Sequence, residues 1–262
     1  MINLSKEEQA QYDKVAVNLT KSADQERLSE HLINLSKCVV NLSKTSNVDL
    51  GGKRARVVVA LDYSGSMDDL YHNGTVQRTL DRLVPLGLTF DDNGELEVYL
   101  FSNGCKYLET LTLDNYSNYV KDVIKKSGFS MGGTEYAPVL NKILRDTKGG
   151  NKPGLFSKLF KKNTADDGAV DTDTVFVIFI TDGDNFDKDD TDGVIRKSSK
   201  TNTFIQFIGI GNASFEYLKK LDNLDGRDRD NTGFSSMKSL KDTTDEVLYQ
   251  EILGDFSNWL KG

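Results

Sequence analysis

The stretch Arg56-Val57-Val58-Val59-Ala60-Leu61-Asp62-Tyr63-Ser64-Gly65-Ser66-Met67 decides how the rest of the chain is read. The run from Arg56 to Leu61 reads as a strand buried on both faces, which requires near-continuous apolar residues. It ends in Asp62 to Ser66, a short polar loop carrying one carboxylate and two hydroxyls. In an open α/β sheet ligands bind outside the carboxyl ends of the strands, so this loop lies where a site is expected. One carboxylate and two hydroxyls offer oxygen donors only, a chemistry suited to a hard divalent cation.

Two later stretches have the same character. Ser130-Met131-Gly132-Gly133-Thr134-Glu135 is a glycine-rich loop presenting a hydroxyl, and the apolar run Val175 to Ile180 leads directly into Thr181-Asp182-Gly183-Asp184. In order, the pieces read Asp-x-Ser-x-Ser, then Thr, then Asp. This pattern resembles the metal-ion-dependent adhesion site (MIDAS) of von Willebrand factor A (vWA) domains, over roughly Ala55 to Leu260. A closer likeness is to the bacterial TerF-type tellurium-resistance branch of that family. It rests on Asn73-Gly74-Thr75-Val76-Gln77, on Gly132-Gly133-Thr134-Glu135-Tyr136-Ala137-Pro138-Val139 and on Leu224-Asp225-Gly226-Arg227.

The resemblance implies an α/β, Rossmann-like vWA fold. It implies that Ser64, Ser66 and Thr134 give hydroxyl oxygens to an ion, which Asp62 and Asp182 bind directly or through water. Few direct carboxylates leave such an ion electrophilic, with one position for an outside ligand. Gly65 between the serines permits the tight turn that two neighbouring hydroxyl ligands need. Mg²⁺ accepts six oxygens and keeps waters, whereas Ca²⁺ prefers more carboxylates, so Mg²⁺ is the expected ion with Mn²⁺ or Ca²⁺ as alternatives. A plainer account has Asp62 and Asp182 merely capping helices that follow strands. Three pieces in the right order favour the metal site.

The bulk properties set limits. A chain of 262 residues can bury a sizeable core without a disulfide framework. The net charge of −7 argues against nucleic-acid binding, which needs a basic surface. Cys38 and Cys105 are far apart and in no metal-ligand spacing, as expected of two thiols in a reducing compartment. The first residues have no basic start and no apolar core of signal-peptide length, and no apolar stretch approaches the ~20 residues of a membrane span. A cytoplasmic location is expected, and membrane association is not.

Two parts are expected: an N-terminal appendage at 1–52 and a vWA domain at 53–262. In the appendage a unit recurs as Ile2-Asn3-Leu4-Ser5-Lys6, Val17-Asn18-Leu19-Thr20-Lys21, Ile33-Asn34-Leu35-Ser36-Lys37 and Val40-Asn41-Leu42-Ser43-Lys44. Its alternation would suit short strands, and it looks like the openings of TerD-type stress proteins. Leu28, Leu32, Leu35, Val39 and Leu42, however, step by four and three, which predicts a helix over Ala23 to Ser43 and a mainly helical appendage. Capping boxes fit at Ser5 and Ser22.

In the main domain, strands alternate with helices, which means a mostly parallel sheet covered on both faces. The strand Glu95 to Phe101, the turn Asn103-Gly104 and the return Lys106 to Leu111 add one antiparallel edge strand. Pro85 and Gly87 should loosen the end of a helix that begins at Thr75. Further helices are expected at Tyr116 to Lys126, Tyr136 to Arg145, Asp190 to Ser199 and Ser214 to Leu224, with Thr243 and Glu246 capping a last one to Trp259. Residues 148–173 read as an inserted loop holding an apolar, basic run, Leu155 to Lys162, expected to dock on its own domain, with a partner- or membrane-surface anchor as the alternative.

Competing chemistries are weaker. Asp184 to Asp192 is dense in carboxylates, and Asp228 to Gly233 matches half of an EF-hand loop. The second half fails, because Ser239 stands where a bidentate Glu is required. Ser64 lacks the first glycine of a hydrolase elbow, and His31 and His72 read as surface or packing residues. The function that the resemblance implies is a non-enzymatic, metal-dependent protein-binding module of a cytoplasmic tellurium-resistance or stress-response system. It would take a partner's Asp or Glu carboxylate within a rim of Tyr63, Met67, Met131, Glu135 and Asp184. A Mg²⁺-dependent phosphatase or phosphotransferase is the alternative.

Overall fold

Successive side chains of a strand point to opposite faces, so an uninterrupted apolar strand needs cover on both. The computed structural model describes residues 23–148 and 174–261 and supplies that cover. Among these residues the strands are β1 (Arg56–Asp62), β2 (Glu97–Phe101), β3 (Cys105–Tyr107), β4 (Val175–Thr181), β5 (Thr203–Ile210) and β6 (Thr232–Met237). They form one sheet in the order β3-β2-β1-β4-β5-β6, parallel throughout except for the β2–β3 edge. The helices are α1 (Ala23–Ser46), α2 (Asp68–His72), α3 (Thr75–Phe90), α4 (Ala137–Thr147), α5 (Lys188–Ser198), α6 (Glu216–Asp222) and α7 (Asp245–Trp259).

Val57, Val59 and Leu61 enter a core built with α1, α3 and α7, while Val58 and Ala60 enter a second core with α4, α5 and α6. The fold is thus the expected three-layer α/β arrangement with one antiparallel edge strand. The charged first residue of β1 is buried by pairing: Arg56 grips Glu97 with Nε on Oε1 and with Nη2 on Oε2 at 2.8 Å. Removing either partner would strand a charge inside the protein.

The appendage helix is part of the core. Leu28, Leu32, Leu35, Val39 and Leu42 are all buried, and α1 lies on α7 and α3. Each such side chain contributes roughly 1.5–3 kcal/mol when fully buried. The units at Ile33 and Val40 are helical, and their seven-residue offset puts Leu35 and Leu42 on one face two turns apart. The units at Ile2 and Val17, the boxes at Ser5 and Ser22 and the run Leu155 to Lys162 lie outside the described residues.

Several local expectations are corrected. The α3 helix runs unbroken past Pro85 to Phe90, because Leu83, Val84, Leu86 and Phe90 are all buried and packing holds the turn. Gly87 serves close approach, since a Cβ there would sit 3.0 Å from the Glu95 carbonyl. Tyr116 to Lys126 is no regular helix: a 3₁₀ turn at Tyr116–Asn118 precedes a π turn at Val120–Ile124. Gln77 is the cause, for its amide donates to the Tyr116 carbonyl at 2.6 Å and accepts from Val120 N at 2.9 Å, splitting that i, i+4 pair. The last helix is capped by Thr244, accepting from Val247 N, and Thr243 instead donates to the Ser239 carbonyl. The helix expected from Ser214 begins only at Glu216, after Phe215 adopts a left-handed conformation at φ 53°.

A polar latch also ties α1 down. Asp245 accepts from Arg82 Nε at 2.6 Å and Asn34 Nδ2 at 3.1 Å, and lies 2.6 Å from His31 Nδ1. Burial would raise its pKa, but hydrogen bonds from His31 and Asn34 and the charges of His31 and Arg82 outweigh this and hold it at about 2. A carboxyl depressed in the folded state contributes stability that is complete above its unfolded pKa near 4 and is lost as pH falls toward 2. Asp245→Asn should therefore cost roughly 2 kcal/mol at pH 7 in urea denaturation, with the gap from wild type closing below pH 3. An equal gap at both pH values would refute the electrostatic latch.

Candidate metal centre

The chain leaves β1 for β2 on one side, and β4 leads to β5 on the other, so the sheet has its switch point between β1 and β4. Ligands of open α/β sheets bind in the crevice outside such a point. Asp62 ends β1 and Asp182 follows β4, both in that crevice.

Asp62 is fully buried and both its carboxylate oxygens are engaged: Oδ1 accepts from Ser64 N at 2.8 Å and Oδ2 from Thr181 Oγ1 at 2.6 Å. From this floor the hydroxyls climb outward. Ser64 Oγ lies 3.1 Å from Ser66 Oγ, which donates to Asp182 Oδ1 at 2.9 Å. Burial pushes the Asp62 carboxyl up to about 6 despite the hydrogen bonds from Ser64 and Thr181, and it raises Asp182 as well.

Thr134 is buried on a loop lodged between the other two. Gly132 bridges to Ser64 and its carbonyl accepts from Gly65 N at 3.1 Å, while the Thr134 carbonyl accepts from Phe186 N at 3.0 Å. The structure thus links Asp62, Ser64, Ser66 and Asp182 by hydrogen bonds and seats Thr134 between the β1 and β4 loops. Among the described residues, no group of three or more His, Cys, Asp or Glu is placed to hold an ion, so this is a hydroxyl-rich set with two carboxylates. Such a set could hold a hard cation: oxygens at 2.9 and 3.1 Å match the ~3.0 Å edge of an octahedron with ~2.1 Å bonds.

Several functional residues escaped the sequence reading. Thr181 lies one step past the Leu61–Ile180 pair, a register that only the assembled sheet fixes. Tyr71 donates to the Asp62 carbonyl at 2.8 Å, and Tyr136 to the Gly183 carbonyl at 2.7 Å. Asn103, expected only to turn a hairpin, accepts from Gly133 N at 2.7 Å, and a Cβ on Gly132 would meet its Oδ1 at 2.4 Å. Both glycines let the Thr134 loop press onto Asn103. Met67, expected on the rim, is fully buried in the core and cannot contribute there. Phe186, beside Thr134, is 81% exposed instead.

The acidic runs have other duties. Asp187 caps α4 by accepting from Tyr136 N and Ala137 N at 3.0 and 2.7 Å, Asp184 pairs with Lys188, and Asp192 with Lys220. In the half EF-hand, Asp230 pairs with Arg227, and Thr232 already belongs to β6. His31 belongs to the α1 latch and His72 lies beside Asp68.

The floor predicts one substitution cleanly. Thr181→Val removes the donor to a fully buried carboxylate oxygen and should cost roughly 1–3 kcal/mol in denaturant unfolding, with Thr181→Ser near wild type. Equal stability of the valine and serine variants would show that the bond at 2.6 Å does not hold Asp62.

Comparison with known proteins agrees with this architecture. Residues 54–262 match the vWA-TerF-like family, described as the vWA found in the TerF C terminus. The uncharacterized protein YcbR of Bacillus subtilis (strain 168) is 34% identical over 209 residues, spanning 79% of this chain and 78% of YcbR. Among solved structures, proximal thread matrix protein 1 from the mussel byssus, with a zinc-occupied MIDAS motif, superposes with a TM-score of 0.52 at 18% identity. The match covers 77% of this chain and 47% of the mussel chain, so this chain spans about half of that protein. At this identity the likeness concerns the fold. With that family model covering most of its length and a 34% identical relative beside it, the chain belongs to the vWA-TerF-like family.

Proposed function

We propose that the chain is a non-enzymatic protein-binding module that takes a partner's carboxylate at a Mg²⁺ held by Asp62, Ser64, Ser66, Thr134 and Asp182. The observation that carries this reading is the hydroxyl ladder from buried Asp62 through Ser64 and Ser66 to Asp182 at the sheet's switch point. A hard divalent ion bound there supplies a coordination position for an oxygen ligand from outside. The chain's residues do the rest. Thr181 and Ser64 fix Asp62, Asn103 fixes the loop bearing Thr134, and the exposed Ser66 and half-buried Asp182 leave the outer face open. Support for a metal comes from the mussel neighbour, whose MIDAS motif is occupied by zinc. The donors here are all oxygens, which favours Mg²⁺ or Mn²⁺ over zinc.

The match to a vWA found in the TerF C terminus supports a TerF-type role, which we extend to a cytoplasmic stress-response system of the tellurium-resistance type. Among the described residues, no helix is long and apolar enough to cross a membrane. The test is capture of a partner by the immobilised chain in Mg²⁺. The partner should elute with EDTA, rebind with Mg²⁺ or Mn²⁺, and fail to bind a Thr134→Ala variant that melts like wild type. Retention indifferent to chelator and to Asp62→Ala would refute the reading.

A further inference from the structure

Apolar side chains on a soluble surface are mostly partly covered. The exposed large apolar residues among the described ones are Leu113 at 41%, Val247 at 48% and Phe186 at 81%. Phe186 stands apart in both exposure and position. Its N–H is bonded to the Thr134 carbonyl at 3.0 Å, and its ring edge lies 3.2 Å from where a Cβ on Gly133 would be. The ring is therefore held at the edge of the candidate metal centre by the very loop that carries Thr134. Aromatic side chains, Phe among them, are enriched at protein interfaces relative to the rest of the surface.

The surface continues from there into a defined groove. Between α4 and α5 a cavity of about 400 Å³ opens beside Glu135 and Asp187, with Pro138 and Val194 among its walls and Lys197 in its lining. The carboxylate of Asp187 is consumed by the Tyr136 and Ala137 N–H groups, but Glu135 and the exposed Asp190 leave the groove's lining acidic. An occupant should therefore bring a positive charge to this groove while bringing a negative one to the centre.

Resting on the reading of the centre as a carboxylate-binding site, we infer that the partner presents an extended segment of mixed character. It carries one Asp or Glu for the centre, a bulky apolar side chain beside it that covers Phe186, and a Lys or Arg a few positions away that meets Glu135 and Asp190. A uniformly acidic segment is rejected by the groove, and one lacking the apolar neighbour leaves Phe186 in water. Phe186 sets which carboxylates are accepted, not whether a carboxylate binds.

The experiment uses the full chain, ¹⁵N-labelled, titrated in Mg²⁺ and in EDTA with three capped glycine–serine peptides. The first has one aspartate, the second adds a neighbouring leucine, and the third adds a lysine three positions further on. Partial burial of one leucine against the ring should tighten binding roughly tenfold from the first peptide to the second. The third peptide should additionally shift the amides of Glu135, Asp190 and Val194. In Phe186→Ser the leucine gain should vanish, while Mg²⁺-dependent binding of the first peptide persists. A leucine gain that survives Phe186→Ser, or a first peptide that binds as well as the other two, overturns the inference and leaves the carboxylate site standing. Binding of the second and third peptides that is equal in EDTA overturns the carboxylate site and with it the segment inferred here. So does silence from all three.

Discussion

A carboxylate with no exposure to water sits at the point where the sheet reverses its winding, and the architecture around it exists to keep it there. Isolated, such a charge would be driven to protonate, and burial does move Asp62 up to about 6. Two donors hold it, Ser64 N from its own loop and Thr181 Oγ1 from the neighbouring strand. Thr181 can reach only because β1 and β4 are parallel neighbours in the Leu61–Ile180 register. The register depends on continuous apolar strands covered on both faces, hence on the helices. The local chemistry and the global fold are thus a single constraint.

Outward from that floor, exposure rises. Ser64 is buried, Asp182 half-buried and Ser66 exposed, so the ladder of oxygens leads from a dry anchor to open solvent. The third loop is braced from outside the ladder by Asn103, which belongs to the β2–β3 hairpin. The antiparallel edge thereby acquires a task in the site. Tyr136 ties the start of α4 to Gly183 in the β4 loop, so all three loops are cross-linked by side chains. A site fixed in this way would meet a ligand with little loop ordering left to do, which conserves affinity.

Much of this was legible from residues alone, for a physical reason. Val57 to Leu61 and Val175 to Ile180 are unambiguous because a strand covered on both faces tolerates almost nothing polar, and polar residues directly after such runs mark the ligand-binding edge. The α1 stripe was legible because its spacing has helical period. What stayed hidden depends on tertiary neighbours. The hydroxyl of Thr181, the amide of Asn103 and the intrusion of Gln77 between Tyr116 and Val120 all act on segments far away in sequence. Met67 is the converse case: its place beside the serines suggests a rim, but the 3₁₀ turn Gly65–Met67 carries it into the core. Phe186 sits within the carboxylate-dense run Asp184 to Asp192, and only its exposure beside Thr134 distinguishes it.

The central claim is that the divalent ion lies at the β1–β4 switch and not in the acidic runs, and paramagnetic broadening tests it directly. Substoichiometric Mn²⁺ added to ¹⁵N-labelled protein should erase first the amide signals of Tyr63 to Ser66, Gly133, Thr134, Asp182 and Gly183. Broadening that begins instead at Asp189 to Asp192, or at Asp228 to Asp230, would contradict the account.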